Sequence, residues 1–157
     1  AQMDARSEGQ GFQPAAGLQM ALPPLSPSDE RTWAMLAHLS ILLNLISGFL
    51  GLLAALVIYL VYKDRSRYVA YHSLQSLFFQ LVFWVGGGVV VGIAWALTGV
   101  LSAILVGLCC IPLALLISLI PVAAVVYAIV GAVQCSQGQD FRYWLVGDWV
   151  RPTLTGA

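Results

Sequence analysis

Two histidines are the residues of this sequence best placed to do chemistry. His38 and His72 stand inside uncharged stretches, seven residues after Arg31 and five residues after Arg67. On helices that rise about 1.5 Å per residue, these offsets correspond to about 10 Å and about 8 Å. If both helices begin at the same face of the protein, the two imidazoles lie at similar depth and can meet. Such a pair could bind a haem or a pigment, or relay protons.

Other polar side chains accompany the histidines. His72, Ser76 and Gln80 are spaced by four residues, so they share one helix face. Because polar groups in an apolar helix are costly without a partner, we expect them to point into a helical bundle. The simpler role is hydrogen bonding between helices, with each imidazole satisfied by Asn44, Gln75 or a backbone carbonyl. The predicted intramembrane polar stripe consists of His38, Asn44, His72, Gln75, Ser76 and Gln80.

The remaining reactive residues form no recognisable motif. Cys109 and Cys110 are adjacent, and Cys135 stands alone, so the cysteines show no zinc-ligand spacing. We predict no metal site and interpret the cysteines as small buried residues, with acylation of Cys135 as the alternative. The sequence contains no GxSxG, no HExxH and no phosphate-binding glycine loop. It therefore predicts no enzymatic activity and no cofactor, with haem or a pigment at His38 and His72 as the alternative.

The composition limits the class of protein to which these residues can belong. Of the 157 residues, 60% are hydrophobic and only 9% are charged, and the mean hydropathy is +0.87. A soluble domain needs a larger polar surface, and a disordered chain needs the opposite composition. Seven basic and seven acidic residues give no net charge, so no field attracts nucleic acid. These values predict a small all-α integral membrane protein.

The charged residues divide the chain into segments that can cross a membrane. Two uncharged stretches cover Thr32–Tyr62 and Tyr68–Gln139. A span needs about 20 apolar residues, so the second stretch holds two spans. The first holds either two short helices or one long kinked helix. We predict a four-helix transmembrane bundle of two hairpins, with three spans and a kinked first helix as the alternative. The predicted segments are a flexible cytoplasmic tail over 1–25, a bundle over 26–137 with helices at about 27–46, 49–62, 67–97 and 100–135, and an aromatic interfacial segment over 138–157.

Local signals place the ends and turns of these helices. Ser26 suits the cap of the first helix. Ser47-Gly48 and Thr98-Gly99 are the predicted turns of the two hairpins. Pro112 and Pro121 each remove a backbone donor, so we expect kinks in the fourth helix.

Two hairpins bring every charged zone to one face of the membrane. The short central loop carries Lys63, Arg65 and Arg67. The positive-inside rule places this basic loop and both termini in the cytoplasm, for a multi-pass protein of the inner (cytoplasmic) membrane. An interfacial or docking role is predicted for Phe141, Arg142, Tyr143, Trp144 and Trp149. The expected partners are the lipid bilayer and a larger membrane protein complex; neither a nucleic acid nor a soluble substrate is indicated.

The order of several short motifs resembles a known family. These motifs are Trp33–Ser40, Lys63–Ser66, His72 with Gln75 and Gln80, and Gln137–Tyr143. They resemble the Tic-twenty-like small membrane proteins, which include bacterial proteins of unknown function and relatives of the chloroplast inner-envelope translocon subunit. The resemblance implies a four-helix membrane bundle with both ends cytoplasmic. It matches family positions at His38, His72, Gln75, Gly138, Arg142 and Tyr143, and departs at Trp144, where that family tends to have proline.

These observations lead to three functional hypotheses. The first is a non-enzymatic accessory or scaffold subunit of a larger respiratory, photosynthetic or translocation complex. The second, which rests on the resemblance, is a Tic-twenty-like protein-translocation component. The third is a cofactor-binding membrane subunit that uses His38 and His72 as ligands.

Overall fold

The computed structural model describes residues 23–155, and these residues form helices and connecting turns without a strand. The predicted tail lies largely outside this range, because residues 1–22 are not described. The helices are α1 (Pro27–Leu39), α2 (Ile41–Ser47), α3 (Leu50–Tyr62), α4 (Arg67–Gln80), a π-helical segment (Leu81–Gly86), α5 (Gly87–Ser102), α6 (Val106–Ile117), α7 (Leu119–Ser136) and α8 (Gly147–Thr155).

The first hairpin forms where local signals predict it. Ser26 caps α1, and its hydroxyl oxygen accepts a hydrogen bond from the Asp29 backbone N–H at 3.2 Å. Gly48 ends α2 with φ of +82°, a conformation that glycine adopts without strain. Both the cap and the turn at Ser47-Gly48 are therefore confirmed. We call a run of helical segments without a reversal of the chain a rod. The first rod, over residues 27–47, is divided into α1 and α2 at Ser40, whose hydroxyl donates to the Ala37 carbonyl.

Two long rods make up most of the remaining structure. The segments α4, π and α5 form one helix of 36 residues over Arg67–Ser102, and α6 with α7 forms one of 31 residues over Val106–Ser136. Within residues 23–155, these two helices are long and apolar enough to cross a membrane. At the helical rise, the longer one extends about 54 Å. The interruption at Ser118, between α6 and α7, falls next to Ile117, whose carbonyl Pro121 cannot engage because proline lacks an N–H.

The turn between the long rods lies later than predicted. The chain reverses at Ala103–Leu105, whereas Thr98-Gly99 was expected to form the turn. Thr98 lies within the helix, and its hydroxyl donates to the Ala94 carbonyl at 2.8 Å. Gly107 on α6 lies so close to α5 that a Cβ at this position would overlap the Thr98 carbonyl oxygen. This close contact between rods fixes the turn beyond Ser102 and makes Thr98-Gly99 part of α5.

The rods form a bundle of four over only part of their length. Helix α1 packs against α4 and α7, α3 packs against α4, and α8 covers the end of α4. The Trp84 indole N–H donates to the Gly48 carbonyl at 2.8 Å, so the tip of the first hairpin lies level with the π segment. Beyond Trp84, α5 and α6 continue as a two-helix hairpin. The long hairpin therefore extends about twice as far as the short one.

The outer surface of these rods is apolar. Large aliphatic side chains are exposed on α2, α3, α5, α6 and α7; examples are Ile46, Val57, Ile93, Leu113 and Val126. A soluble protein of this size rarely exposes contiguous apolar surface on this scale, whereas helices that face lipid require it. The fold is therefore all-helical with an apolar exterior, and its polar side chains are concentrated in the interior and at one end.

That end holds the basic loop and both ends of the described chain. The Arg65 guanidinium donates to the Pro23 carbonyl at 3.2 Å, and that of Arg67 to the Thr155 carbonyl at 3.3 Å. We call this region the charged end. It also carries two exposed ion pairs, Arg142–Asp148 at 2.8 Å and Arg151–Asp140 at 2.7 Å. Exposed pairs of this kind contribute little to stability, so they indicate where solvent lies more than what holds the fold.

Candidate functional site

The two predicted histidines meet in the interior of the bundle. His38 on α1 and His72 on α4 are both fully buried. His38 Nε2 lies 3.3 Å from His72 Nδ1, and the two rings meet edge to face. The depth comparison made from the sequence is thus correct: α1 and α4 both start at the charged end and bring the imidazoles to one level.

A cysteine joins the histidine pair. Cys135 near the end of α7 is fully buried, and its Sγ lies 3.4 Å from His72 Nδ1. The buried face of α7 consists of small residues (Ala124, Ala128, Gly131, Ala132 and Cys135), which allows α7 to lie close to α1. Burial of Cys135 leaves no space for an acyl chain, so acylation is not supported. We call His38, His72 and Cys135 the buried triad.

The segment after α7 folds back over the triad. Gln75 on α4 holds it: the Gln75 amide Nε2 donates to the Phe141 carbonyl, and its Oε1 accepts from the Tyr143 backbone N–H, both at 3.2 Å. The Tyr143 hydroxyl then lies 3.0 Å from His38 Nδ1, and its ring stacks on Phe79 with centroids 3.8 Å apart. Burial raises the pKa of Tyr143 well above its ordinary value, so its phenol stays protonated.

The other half of the polar stripe forms a satisfied amide network. The Gln80 amide donates to the Ser40 and Ser76 hydroxyl oxygens at 2.9 Å and 3.1 Å. Gln80 Oε1 accepts from Asn44 Nδ2 at 2.8 Å, and Asn44 Oδ1 accepts from the Gly51 backbone N–H at 2.7 Å. The network joins α2, α3 and α4. A purely structural role requires that buried polar groups have hydrogen-bond partners in this way.

The hydrogen bonding of the buried triad and its surroundings is less complete than that of the amide network. Among the described residues, His72 Nε2 and the Tyr71 hydroxyl are buried without a hydrogen-bond partner. His72 Nδ1, in contrast, is approached by both His38 Nε2 and Cys135 Sγ. One ligand-type atom from each triad residue lies within 4.8 Å of the other two. In the part of the chain that the structure describes, these three side chains are the group that could hold a metal ion.

The structure buries all six residues of the predicted stripe, but in two groups and with other partners than expected. His38 contacts Tyr143 and His72, whereas Asn44, Gln75 or a backbone carbonyl was expected to satisfy each imidazole. Spacing could not reveal Tyr143 or Cys135, because both lie far from the histidines in sequence. The one usable signal is that Cys135 falls on the small-residue face of α7.

The predicted docking segment is only partly exposed. Phe141 and Tyr143 are 5% and 1% exposed, whereas Trp144 and Trp149 are 82% and 64% exposed. Phe141 and Tyr143 therefore cannot serve as docking residues, because both rings pack against His38. Arg142 lies at the surface in its ion pair with Asp148. The predicted interfacial role can apply only to Arg142, Trp144 and Trp149.

A family model matches most of the chain. The model of the MamF/MmsF family, described as the magnetosome magnetite crystal formation protein family, matches residues 29–150. The chain belongs to this family. No curated protein and no solved structure matches it. The MamF/MmsF match runs from the start of α1 into α8, so it includes the triad and the segment that covers it.

The MamF/MmsF assignment corrects the resemblance drawn from short motifs. The chain is not a Tic-twenty-like protein: the family match overturns that prediction and leaves the translocation role it implied without support. The motifs were misleading for a physical reason. Polar residues every four positions and a basic loop between apolar helices are needed by many small membrane bundles, whatever their descent.

Proposed function

We propose that this protein is a non-enzymatic accessory protein of a magnetosome membrane and takes part in magnetite crystal formation. The observation that carries the proposal is the family match over residues 29–150. The two long apolar helices and the apolar exterior support a membrane location. A multi-pass protein of this size fits an accessory subunit of a larger membrane assembly, with Trp144 and Trp149 exposed beside the charged end.

The burial of the polar cluster supports a role without catalysis. His38, His72 and Gln75 have no exposed surface, so a substrate dissolved in water cannot contact them in this conformation. The grooves on the outside of the long hairpin are lined almost entirely by aliphatic and aromatic side chains. Such grooves suit lipid or another helix more than a polar substrate. We therefore propose that the protein acts through its contacts in the membrane.

We further propose a topology in which the charged end is cytoplasmic and the hairpins point away from it. The basic loop and both ends of the described chain lie at the charged end, and the positive-inside rule orients it. The segment Tyr68–Gln139 contains no charged residue. A crystal on the far side of the membrane would therefore face the uncharged turn at Ala103–Leu105. This arrangement favours an indirect action on the crystal over an acidic mineral-binding surface.

The topology predicts which positions a membrane-impermeant thiol reagent can reach. In a background with Cys109→Ser and Cys110→Ser, we would compare Asp64→Cys in the basic loop with Ile104→Cys at the far turn. On sealed, isolated magnetosomes, whose outer face is the cytoplasmic one, Asp64→Cys should react at once and Ile104→Cys only after detergent is added. Asp64 and Ile104 are both exposed, so differences in burial do not explain the result. The opposite pattern would reverse the proposed orientation.

Deletion of the gene in a magnetite-forming host tests the function. We expect the deletion strain to keep its magnetosome membranes but to form crystals with a changed size or shape distribution, measured by electron microscopy. The wild-type gene should restore the parental crystals, and so should a Gly92→Ala variant, which adds a methyl group in open space among the described residues. Crystals identical to those of the parent strain, from cells verified to lack the protein, would contradict the proposed role.

A further inference from the structure

The buried triad has the composition and spacing of a transition-metal site. Its three residues come from three different helices, α1, α4 and α7, and all are fully buried. Each supplies one ligand-type atom, and these atoms lie within 4.8 Å of one another. We propose that His38 Nε2, His72 Nδ1 and Cys135 Sγ bind one divalent first-row transition-metal ion.

Two of the three separations between the ligand atoms agree with ligands around a single ion. Zinc lies about 2.0–2.1 Å from an imidazole nitrogen and about 2.3 Å from a thiolate sulfur, so tetrahedral ligands are separated by about 3.3–3.7 Å. In this protein the two imidazole nitrogens are 3.3 Å apart, and Cys135 Sγ is 3.4 Å from His72 Nδ1. Haem iron would need the two nitrogens on opposite sides of a macrocycle, and 3.3 Å leaves no room for one between them. The geometry favours a single ion.

Hydrogen bonding alone does not account for this convergence. His72 Nδ1 has one in-plane position, occupied by either a lone pair or a proton, so it makes one well-directed hydrogen bond. Two groups nevertheless approach it, one from α1 and one from α7. His72 Nε2, which would carry the proton when Nδ1 binds an ion, has no partner among the described residues, so it is the double approach to Nδ1 that indicates a metal. The saturated structural network around Gln80 shows no such excess of partners, because Gln80 Nε2 has two N–H groups for its two acceptors.

The surroundings of His38 fit the role of a metal ligand. For Nε2 to offer its lone pair, the proton must sit on Nδ1, and the Tyr143 hydroxyl oxygen, 3.0 Å from Nδ1, can accept it. Metal-binding histidines usually donate their second N–H in this way, which fixes the tautomer and the ring orientation. Gln75 in turn holds the backbone of Tyr143 in place. The segment after α7 that carries Phe141 and Tyr143, which we call the cover segment, thus orients the first ligand.

The ligand types define the class of metal. Two imidazoles and one thiolate suit zinc, cobalt or ferrous iron, and exclude magnesium and calcium, which require oxygen ligands. On binding, the Cys135 thiol releases its proton and the sulfur forms the bond to the ion. Three protein ligands leave a fourth position for water. The spacing of the cysteines along the chain predicted no metal site, whereas the fold brings three ligands together from distant parts of the sequence.

Cobalt titration of the intact protein tests the site. The full-length chain without a histidine tag, in mild detergent and stripped of metal by a chelator, would be titrated with Co²⁺ and, in parallel, with Zn²⁺. We expect one ion per chain, visible d–d bands of a tetrahedral cobalt site, a thiolate-to-cobalt band in the near ultraviolet, and a higher Tm. A folded wild-type protein that binds no ion, or whose cobalt spectrum lacks the thiolate band, would overturn the proposal, as would haem in the purified protein.

Matched variants assign the ligands. Cys135→Ser and His72→Gln should weaken binding at least about ten-fold, the lower bound for loss of a mere supporting group, whereas Cys109→Ser, at an exposed cysteine on α6, should bind as wild type. Undiminished binding by a folded Cys135→Ser protein would overturn the assignment. If that variant does not fold, the thiolate band of the wild-type protein decides the question alone.

The metal site does not depend on the proposed role in crystal formation. Titration of the metal-free protein with Fe²⁺ under anaerobic conditions determines whether the two are connected. Direct binding is measured because sites of this kind hold Co²⁺ more tightly than Fe²⁺, so cobalt would resist displacement in either case. Binding of one Fe²⁺ per chain that Cys135→Ser weakens would make the triad a site that holds ferrous iron. Absence of Fe²⁺ binding would leave a zinc- or cobalt-type site in a protein whose function is tested separately by the deletion strain.

Discussion

Replacing Gly51 with alanine should strongly destabilise the folded protein. A Cβ at this position would overlap the Ser40 carbonyl oxygen and lie 2.7 Å from Asn44 Oδ1 and 2.8 Å from Gln80 Oε1. The overlapping Ser40 atom belongs to the backbone, so α3 must move away from α2. Overpacking of this kind costs about 1–3 kcal/mol, and loss of the Gly51–Asn44 hydrogen bond adds about 1 kcal/mol.

Thermal unfolding of the detergent-solubilised protein, followed by circular dichroism, measures the effect. Gly92→Ala is the matched control, because a Cβ there meets no described atom within 4 Å. In the helix α5 that substitution should be neutral or stabilising by up to about 1 kcal/mol. Equal Tm values for the two variants would mean that the amide network does not clamp α2 and α3 together.

Truncating Tyr143 to alanine should have the second large effect. The ring is 1% exposed and stacks on Phe79, and its hydroxyl contacts His38. Removal of a buried aromatic ring from a core costs about 3–5 kcal/mol. Tyr143→Phe keeps the ring and removes only the partner of His38, so we expect about 1–2 kcal/mol. The ranking Ala below Phe below wild type in Tm is the expected result.

The adjacent residue provides the control for this series. Trp144 is 82% exposed, so Trp144→Ala should leave Tm nearly unchanged although the deleted side chain is larger. A larger loss of stability for Trp144→Ala than for Tyr143→Ala would contradict the packing of the cover segment over the triad.

The sequence was most informative where local geometry decides the structure. Ser26 and Gly48 act through their own backbones, and the spacing of His72, Ser76 and Gln80 follows from the helical repeat, so these features could be predicted. Equal depth of His38 and His72 followed from their distances to the charged residues.

The features that were missed depend on contacts between distant segments. The turn at Ala103–Leu105 follows from the close contact of Gly107 with Thr98, which only the packed pair of rods reveals. Burial of Tyr143 depends on Gln75, a residue 68 positions away in the chain. Cys135 reaches His72 across 63 positions. No local pattern encodes such pairings, and the short motifs could not distinguish one family of small membrane bundles from another.

The unequal lengths of the two hairpins give the molecule a taper. Near the charged end a cross-section cuts α1, α3, α4, α7 and α8, whereas beyond Trp84 it cuts only α5 and α6. In a bilayer, such a shape takes up more area in the leaflet at the charged end than in the opposite leaflet. The taper therefore matches a membrane that is convex on the side of the charged end, and many copies side by side would favour that curvature.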